Sequence, residues 1–384
     1  MRGTVQKKGT RWYAVVYDGI DPGTGRKRRR WIPAGTRRSD AERVLNEAIR
    51  RKYEGEPVPT ERLTLGDYLV DRWLPIQKAR VRPTTYDGYR RSIDLHVLPR
   101  LGRRPLDRLT IEDVDLLYAT LLTEGRIRRS GPPGLSPKSV RNIHVMLNKA
   151  LNDAVRKGLV VRNVVGLADA PSVGSGGREL RAWTAEQLVV FLDAVRSHRL
   201  HPAFHLAAYT GMRRGEILGL RWSDVDLAVG RLSVRQALVE VAYAVQVSDV
   251  KTSTGRRTID LDAGTVDVLA AWRIERAEER GSVPPGEELV FTKPDGTWVH
   301  PQTFSQILER KVAQLDVPRI SLHDLRHTHA TLMIKAGVPV KVVSERLGHA
   351  NVAFTMSVYQ HVLPGMQAEA ANTFAELLRT PPDR

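Results

Sequence analysis

The amino-acid sequence predicts a multidomain protein that is mainly α-helical and carries small β-sheets. A short N-terminal stretch combines strand-forming residues with a turn, a longer stretch has apolar residues at helical spacing, and the last part mixes both patterns. Two runs of linker composition, at 55–59 and 171–177, separate these parts. We therefore expect a β-hairpin/helix unit at 1–57, a helical bundle at 62–170 and a mixed α+β domain at 178–384.

The N-terminal unit begins with a strand pattern at 11–17, where aromatic and β-branched residues predominate. The segment Asp-Pro-Gly-Thr-Gly at 21–25 is typical of a turn, 26–32 is the partner strand, and Ser39 is the expected N-cap of a helix. The partner strand carries five basic residues that can face DNA phosphates, and a solvated turn is the alternative. They are Arg26, Lys27, Arg28, Arg29 and Arg30.

The middle part, 62–170, shows successive amphipathic helical patterns that are typical of a bundle core. A capping box at Thr110 and Asp113 marks the start of one helix, and Ser136 followed by proline starts the next. The polar face of that last helix is a candidate contact with a nucleic-acid backbone, and an ordinary solvated face is the alternative. The candidate residues on it are Lys138, Arg141 and Lys149.

The composition indicates a polyanionic partner. Lys and Arg number 60 against 43 Asp and Glu, which gives a formal net charge of +17. Such an excess favours nucleic acid, because each neutralised phosphate releases counterions. A basic protein without such a partner and a protein that binds an acidic membrane surface are the alternatives.

Cysteine is absent from the sequence, which excludes disulfides, thiol nucleophiles and Cys-ligated zinc. The sequence also shows neither a signal-peptide pattern nor an apolar run approaching the roughly 18 residues of a membrane span. We therefore expect a protein of the bacterial cytoplasm, associated with the nucleoid and not with a membrane.

Two segments in the last part carry basic candidates. An apolar helix pattern ends at Thr210-Gly211 and a new one begins near Arg213, whose guanidinium Glu216 can brace at i+3. Lys251 lies in a turn between strand patterns, where a lysine can reach into a cleft and donate a proton. The alternatives are an ordinary surface Arg–Glu pair and an ordinary exposed lysine.

A third segment contains a helix start at Ser321, which forms a capping box with Asp324. His323 and Arg326 then share one face of the first turn, where the helix dipole favours an anion. The pair can therefore clamp a phosphate. The alternative is two polar residues that cap a core helix.

A fourth segment combines a helix stop with two polar residues. Gly348 has the character of a helix stop, His349 follows it at once, and Tyr359 lies on the next helix pattern. The alternative for Tyr359 is a half-buried tyrosine of the core.

Together these residue types fit phosphodiester cleavage without a metal. A tyrosine can be the nucleophile, although its phenol, with a pKa of about 10, needs neighbouring cations to ionise. Arginine donates two parallel hydrogen bonds to phosphate, lysine can protonate a leaving oxygen, and histidine can move a proton. The sequence supplies Arg, Lys, His-x-x-Arg, His and Tyr in this order.

This ordered set resembles the tyrosine recombinase, or phage integrase, family. The resemblance is carried by the following segments: Thr210-Gly211-Met212-Arg213-Arg214-Gly215-Glu216, Lys251, His323-Asp324-Leu325-Arg326, Leu347-Gly348-His349 and Tyr359. It implies an arm-type DNA-binding domain of βββα type at 1–57, a helical core-binding (SAM-like) domain at 62–170 and a catalytic domain at 178–384.

The resemblance implies that Arg213, Arg326 and His349 bind the scissile phosphate. It also implies that Glu216 supports these residues without contacting the phosphate itself.

The resemblance also implies the proton transfers and the covalent step. Lys251 would protonate the departing 5′ oxygen, and His323 would assist proton transfer at the oxygen of Tyr359. Tyr359 would form a 3′-phosphotyrosyl bond. Neither a metal nor a cofactor is expected.

The function that the resemblance implies is site-specific, conservative strand exchange for integration or excision of a phage or integrative element. The partners would be double-stranded DNA with core and arm attachment sites, three further copies in a homotetramer, a DNA-bending host factor and an excision directionality factor. The apolar stripe at 368–378 would dock on its own domain or on a neighbouring subunit. A type IB topoisomerase and a non-catalytic DNA-binding regulator are the alternatives.

Overall fold

The computed structural model describes residues 3–20, 27–53, 63–127, 131–173, 181–249, 255–349, 351–359, 371–372 and 374–375. The chain divides into two compact units, Met1–Ser175 and Gly176–Arg384. Both consist mainly of helices with small antiparallel sheets, which confirms the predicted fold class. The further division of unit 1 into domains at 1–57 and 62–170 stays a prediction.

Unit 1 begins with a three-stranded antiparallel sheet and one helix. Its elements are β1 (Gly3–Lys8), β2 (Arg11–Ile20), β3 (Lys27–Gly35) and α1 (Arg38–Tyr53). The strands lie in the order β1-β2-β3, and α1 packs on all three, with Ala14 and Ala41 fully buried between sheet and helix. The predicted hairpin is present. Ser39 lies inside α1 rather than at its N-cap, since the helix already begins at Arg38.

The described remainder of unit 1 is a helical bundle. Its α-helices are α2 (Leu65–Asp67), α3 (Leu74–Arg80), α4 (Pro83–Ser92), α5 (Leu98–Leu101), α6 (Ile111–Glu124) and α7 (Pro137–Arg156). A π-helical stretch, Tyr68–Trp73, joins α2 to α3, and another, Ile93–Val97, joins α4 to α5. The capping box at Thr110 and the helix start at Ser136 are both present. Buried polar contacts tie the start of the bundle to α7, because the Trp73 indole N–H donates to the Asp153 carboxylate at 2.8 Å.

Unit 2 surrounds its sheets with helices. Its helices are α8 (Ala185–Ala194), α9 (His201–Thr210), α10 (Arg214–Leu218), α11 (Ala263–Arg280), α12 (Pro301–Val312), α13 (Leu322–Lys335), α14 (Val340–Leu347) and α15 (Val352–Tyr359). Its strands are β4 (Val225–Asp226), β5 (Arg231–Val234), β6 (Gln236–Val241), β7 (Ala244–Asp249) and β8 (Arg257–Asp260). The sheet order is β4-β5-β8, with β6 and β7 as a separate antiparallel pair. In the core, the rings of Phe204 and Phe304 stack with centroids 4.5 Å apart, which joins α9 to α12.

The end of α9 depends on a glycine. Gly211 has a φ of +62°, and a Cβ there would lie 2.6 Å from Leu347 Cδ2 and 2.7 Å from His329 Cδ2. Gly211→Ala is therefore expected to lower the free energy of unfolding by about 2–4 kcal/mol, as backbone strain adds to overpacking. Urea unfolding followed by tryptophan fluorescence measures the change.

Gly281→Ala is the matched control for this substitution. Gly281 ends α11 with a φ of +76°, but a Cβ there meets nothing within 4 Å. Gly281→Ala should lower the free energy of unfolding through backbone strain alone, by about 1–2 kcal/mol. Equal losses in the two variants would contradict the role assigned to packing at Gly211.

Candidate active site

Arg213 is placed by the turn that follows α9. It is the N-cap residue of α10, and its backbone N–H donates to Glu216 Oε2 at 3.0 Å. Its Nη1 donates to Glu216 Oε1 at 2.8 Å, and its Nη2 donates to the carbonyl of Gly348 at 3.3 Å. The Glu216 side chain is buried, whereas 44% of the Arg213 side chain is exposed. The guanidinium is thus anchored on one side and reachable from solvent on the other.

Arg326 connects the ends of two helices. It is buried in α13, where its Nη1 donates to the carbonyl of Gly211 and its Nη2 to the carbonyl of Leu347, both at 2.7 Å. These carbonyls lie at the C-terminal ends of α9 and α14, where unpaired oxygens accumulate negative charge. The arginine therefore fixes both helix ends around itself.

His323 is an exposed residue in the otherwise buried first turn of α13, one turn before the half-buried His327. The predicted capping box of Ser321 and Asp324 starts this helix. The rings of His323 and His327 meet edge to face with centroids 4.7 Å apart. Burial, together with the nearby His323, lowers the pKa of His327 to about 4, so this ring is neutral at pH 7.

A cavity of about 340 Å³ brings three of the candidate residues together. Arg213, His323 and Arg326 line it, although Arg213 and Arg326 are far apart in the sequence. The other lining residues are Met212, Arg214, Ser305, Glu309, Ser321 and Leu322. Three arginines and an imidazole against the single carboxylate of Glu309 form an environment suited to an anion.

His349 follows directly after the C-terminal turn of α14, where Gly348 has a φ of +68°. Its Nδ1 and the hydroxyl of Thr355 share a hydrogen bond of 2.7 Å, and Thr355 in turn donates to Ser344 at 3.1 Å. Burial, with Arg326 and Arg213 nearby, lowers the pKa of His349 to about 4. The neutral imidazole is thus held between the end of α14 and the middle of α15.

Tyr359 is the last residue of α15, four positions after the hydrogen-bonded Thr355. The position of its side chain lies outside what the structure describes, and so does the whole of Lys251. The strands that the sequence patterns place on either side of Lys251 are present as β7 and β8.

Arg257 is a residue at this site that the sequence patterns did not single out. Its Nη2 donates to Glu216 Oε2 at 2.8 Å and its Nε to the carbonyl of Arg346 at 2.6 Å. Burial alone would raise the pKa of Glu216, but the hydrogen bond and charge of Arg257, together with Arg213, hold that pKa below its ordinary value. The only signal in the sequence was the position of Arg257 at the start of a strand soon after Lys251.

The candidate DNA contacts of unit 1 lie on exposed surfaces where they are described. Lys138 and Arg141 are exposed on α7, and Arg141 donates to the carbonyl of Pro171 at 3.4 Å. Lys149, also exposed, has its Nζ 5.5 Å from the ring centroid of Tyr89.

On β3, the candidates form one run of basic residues. Arg29 is exposed, with its guanidinium carbon 5.7 Å from the ring centroid of Tyr17. Arg26 lies outside the described residues, as do the side chains of Lys27, Arg28 and Arg30.

Two negative findings apply to the described ranges alone. Within them, no group of three or more His, Asp and Glu side chains is placed to hold a metal ion. None of the helices there has both the length and the apolar character needed to cross a bilayer.

Comparison with known proteins gives consistent matches. The Phage integrase family profile matches residues 178–365, and the profile of the phage integrase N-terminal SAM-like domain matches 64–121. An integrase of Streptomyces ambofaciens is 30% identical and the alignment covers 95% of this chain and 93% of that protein. The ICEBs1 integrase of Bacillus subtilis is 26% identical, and the alignment covers 94% of this chain and 95% of that protein.

Solved structures show the same fold. The Tn1549 transposon integrase in complex with transposon right end DNA superposes with a TM-score of 0.67 at 20% identity, over 83% of this chain and 100% of that one. A lambda integrase tetramer bound to a Holliday junction gives a TM-score of 0.56 at 20% identity, over 89% of this chain and 92% of that one. With an integrase of 30% identity aligned along nearly its whole length, this chain belongs to the phage integrase family of tyrosine recombinases, which are enzymes that break and rejoin DNA.

Proposed function

We propose that this recombinase cleaves double-stranded DNA by attack of the Tyr359 oxygen on a phosphodiester held by Arg213 and Arg326. The observation that carries the proposal is the cavity in which these two arginines lie together with His323. A phosphodiester anion in this cavity would receive paired N–H donors from guanidinium groups, the geometry that best stabilises charge developing on phosphate oxygens.

The proposed step is balanced in atoms and charge. The Tyr359 oxygen forms a bond to phosphorus and gives up its proton with help from His323, while the bond to the 5′ oxygen breaks and Lys251 protonates that oxygen. The 3′-phosphotyrosyl bond keeps the energy of the phosphodiester, so a second 5′ hydroxyl can reverse the step and rejoin the strand. His349 would bind the phosphate through Nε2. Its Nδ1–H donates to Thr355, whose own hydroxyl donates to Ser344, so Nε2 donates to the phosphate when the ring is protonated, the form that a phosphate anion favours.

The partners and domains follow from the same proposal. Residues 62–170 would bind core sites through the basic face of α7, 1–57 would bind arm sites through the basic run on β3, and 178–384 would carry the chemistry. Four copies would exchange strands between two sites, assisted by a DNA-bending host factor and an excision directionality factor, for integration or excision of a mobile element. The stripe at 368–378, where Phe374 is 65% exposed, would dock in the same or a neighbouring subunit.

A covalent trapping experiment tests the proposal. The full-length protein is incubated with duplexes from the DNA that flanks its own gene, nicked so that a cleaved strand cannot be rejoined, and the attached strand is mapped. A protein linked to a 3′ phosphate at one defined position supports site-specific cleavage. Full relaxation of a supercoiled plasmid that lacks this position would indicate a topoisomerase, and binding without any adduct would indicate a regulator.

Removing residues 1–57 is expected to leave cleavage of a core site measurable but to impair integration between two attachment sites. The reason is that the proposed arm contacts are lost, whereas the cavity of unit 2 is not touched. Adduct yield on a core duplex and recombinant yield on paired plasmids measure the two effects. Unchanged integration would dismiss the arm-binding role of this segment.

A further inference from the structure

Arg257 is almost completely buried beside a carboxylate that also binds a second arginine. Only 6% of the Arg257 side chain and 5% of the Glu216 side chain are exposed. Glu216 Oε2 accepts both from Arg257 Nη2 and from the backbone N–H of Arg213, while Oε1 accepts from the guanidinium of Arg213. The orientation of Arg213 therefore depends on a carboxylate that Arg257 holds in its ionised form.

The same guanidinium also reaches the turn that leads to His349. Arg257 Nε donates to the carbonyl of Arg346, in the last turn of α14, at 2.6 Å. A Cβ on Gly348 would lie 2.9 Å from Arg257 Nη1, so the guanidinium lies directly against this left-handed turn. Arg257 thus contacts both segments that carry candidate phosphate ligands, one through Glu216 and one through the end of α14.

We infer that Arg257 is a positioning residue for strand cleavage, which sets Arg213 through Glu216 and His349 through the end of α14. The inference rests on the proposed function, since it assigns Arg257 to the same phosphate site. Arg257 itself touches no substrate in this view. Its contribution is to hold two phosphate ligands in the geometry that the reaction needs, without being one of them.

A buried ion pair that only stabilises the fold is the competing explanation, and unit 2 offers a matched control for it. Arg276 has only 2% of its side chain exposed and pairs with Glu279 and Glu288, neither of which lines the cavity. Arg276→Met removes a buried guanidinium from its carboxylates in the same way as Arg257→Met. A purely structural role predicts the same behaviour for both variants.

The test compares full-length variants on the nicked duplex that the parent protein cleaves. Adduct formation is followed in a single turnover at saturating protein, the Kd for DNA by fluorescence anisotropy, and the Tm by thermal unfolding. Arg257→Met should slow adduct formation by about 100-fold with a Kd within about threefold of the parent. Arg276→Met should lower the Tm and keep the parental rate.

Two further variants keep the inference testable where Arg257→Met does not fold. Arg257→Lys retains the charge beside Glu216 but cannot also reach the carbonyl of Arg346, so it should be slower than the parent by about tenfold. Arg257→Met combined with Glu216→Gln removes the buried carboxylate that has lost one of its two guanidinium partners, and it should recover part of the stability but not the parental rate.

Parental rates in the folded Arg257→Lys variant would overturn the inference. So would rate losses in the Arg276→Met variant that match those of Arg257→Met at an equal loss of Tm. A parent protein that forms no adduct on any duplex would refute the proposed function itself, and with it this inference. The two failures are distinguishable because the inference alone can fail only when the parent protein forms the adduct.

Discussion

Tyr359→Phe is expected to abolish the covalent protein–DNA adduct while leaving DNA binding within about twofold of the parent. The substitution removes one oxygen, the proposed nucleophile, and keeps the ring at the end of α15. Uncatalysed phosphodiester cleavage is so slow that no adduct should form on the time scale of the assay. Denaturing gel electrophoresis of protein with a labelled nicked duplex measures the adduct, and anisotropy measures the binding.

Tyr243→Phe is the matched control for this loss. Tyr243 lies in the turn between β6 and β7, where 75% of it is exposed, so removal of its hydroxyl should leave the adduct unchanged. An adduct that persists in Tyr359→Phe would assign the nucleophile to another residue, with His361 or a different tyrosine as the candidates. Peptide mapping of the labelled adduct would then identify it.

Arg213→Ala is expected to slow cleavage by about 100- to 1,000-fold with only a modest loss of DNA binding. Arg213 presents a half-exposed guanidinium to the cavity, where it can donate to a bound phosphate. That contact would strengthen as charge develops on the phosphate oxygens in the transition state. Arg326→Ala should slow cleavage as well, but it also leaves the carbonyls of Gly211 and Leu347 without their donor. Arg213 is therefore the cleaner test of catalysis.

A surface arginine of the same unit provides the control for Arg213→Ala. Arg196 pairs with Asp193 at 2.5 Å, and 77% of its side chain is exposed, so Arg196→Ala should change neither rate nor binding by more than about twofold. Equal losses of binding and cleavage in Arg213→Ala would mark Arg213 as a docking residue. Single-turnover rates at several protein concentrations separate the two cases.

Local rules of the sequence predicted the ends of the helices that carry the site. The capping box at Ser321 and the helix ends at Gly211 and Gly348 depend on residues a few positions apart, and all three are present. The residue pattern did not identify strand β1, because most of its residues are polar and its pairing with β2 is a property of the sheet; only the resemblance, through its βββα unit, implied a third strand. The family, the fold class and the reaction class predicted from the ordered residues are confirmed by the comparisons.

The role of Arg257 could not be predicted in the same way. Its partners Glu216 and Arg346 lie 41 and 89 positions away, so its burial depends on how distant segments pack. In the sequence it is one of many arginines in a basic chain, and no spacing rule marks it as buried. Polar residues that act from inside a protein are therefore found from contacts rather than from patterns.

The hydrogen bonds from Arg326 and Arg213 to distant carbonyls determine how late unit 2 can assemble during synthesis. Arg326 reaches back 115 positions to Gly211, and Arg213 reaches forward 135 positions to Gly348. Contacts of such range form late, since distant parts of a polypeptide must first be brought together. A chain still emerging from the ribosome lacks the later partner of each of these hydrogen bonds, so this part of unit 2 can assemble only after residue 348 has been made.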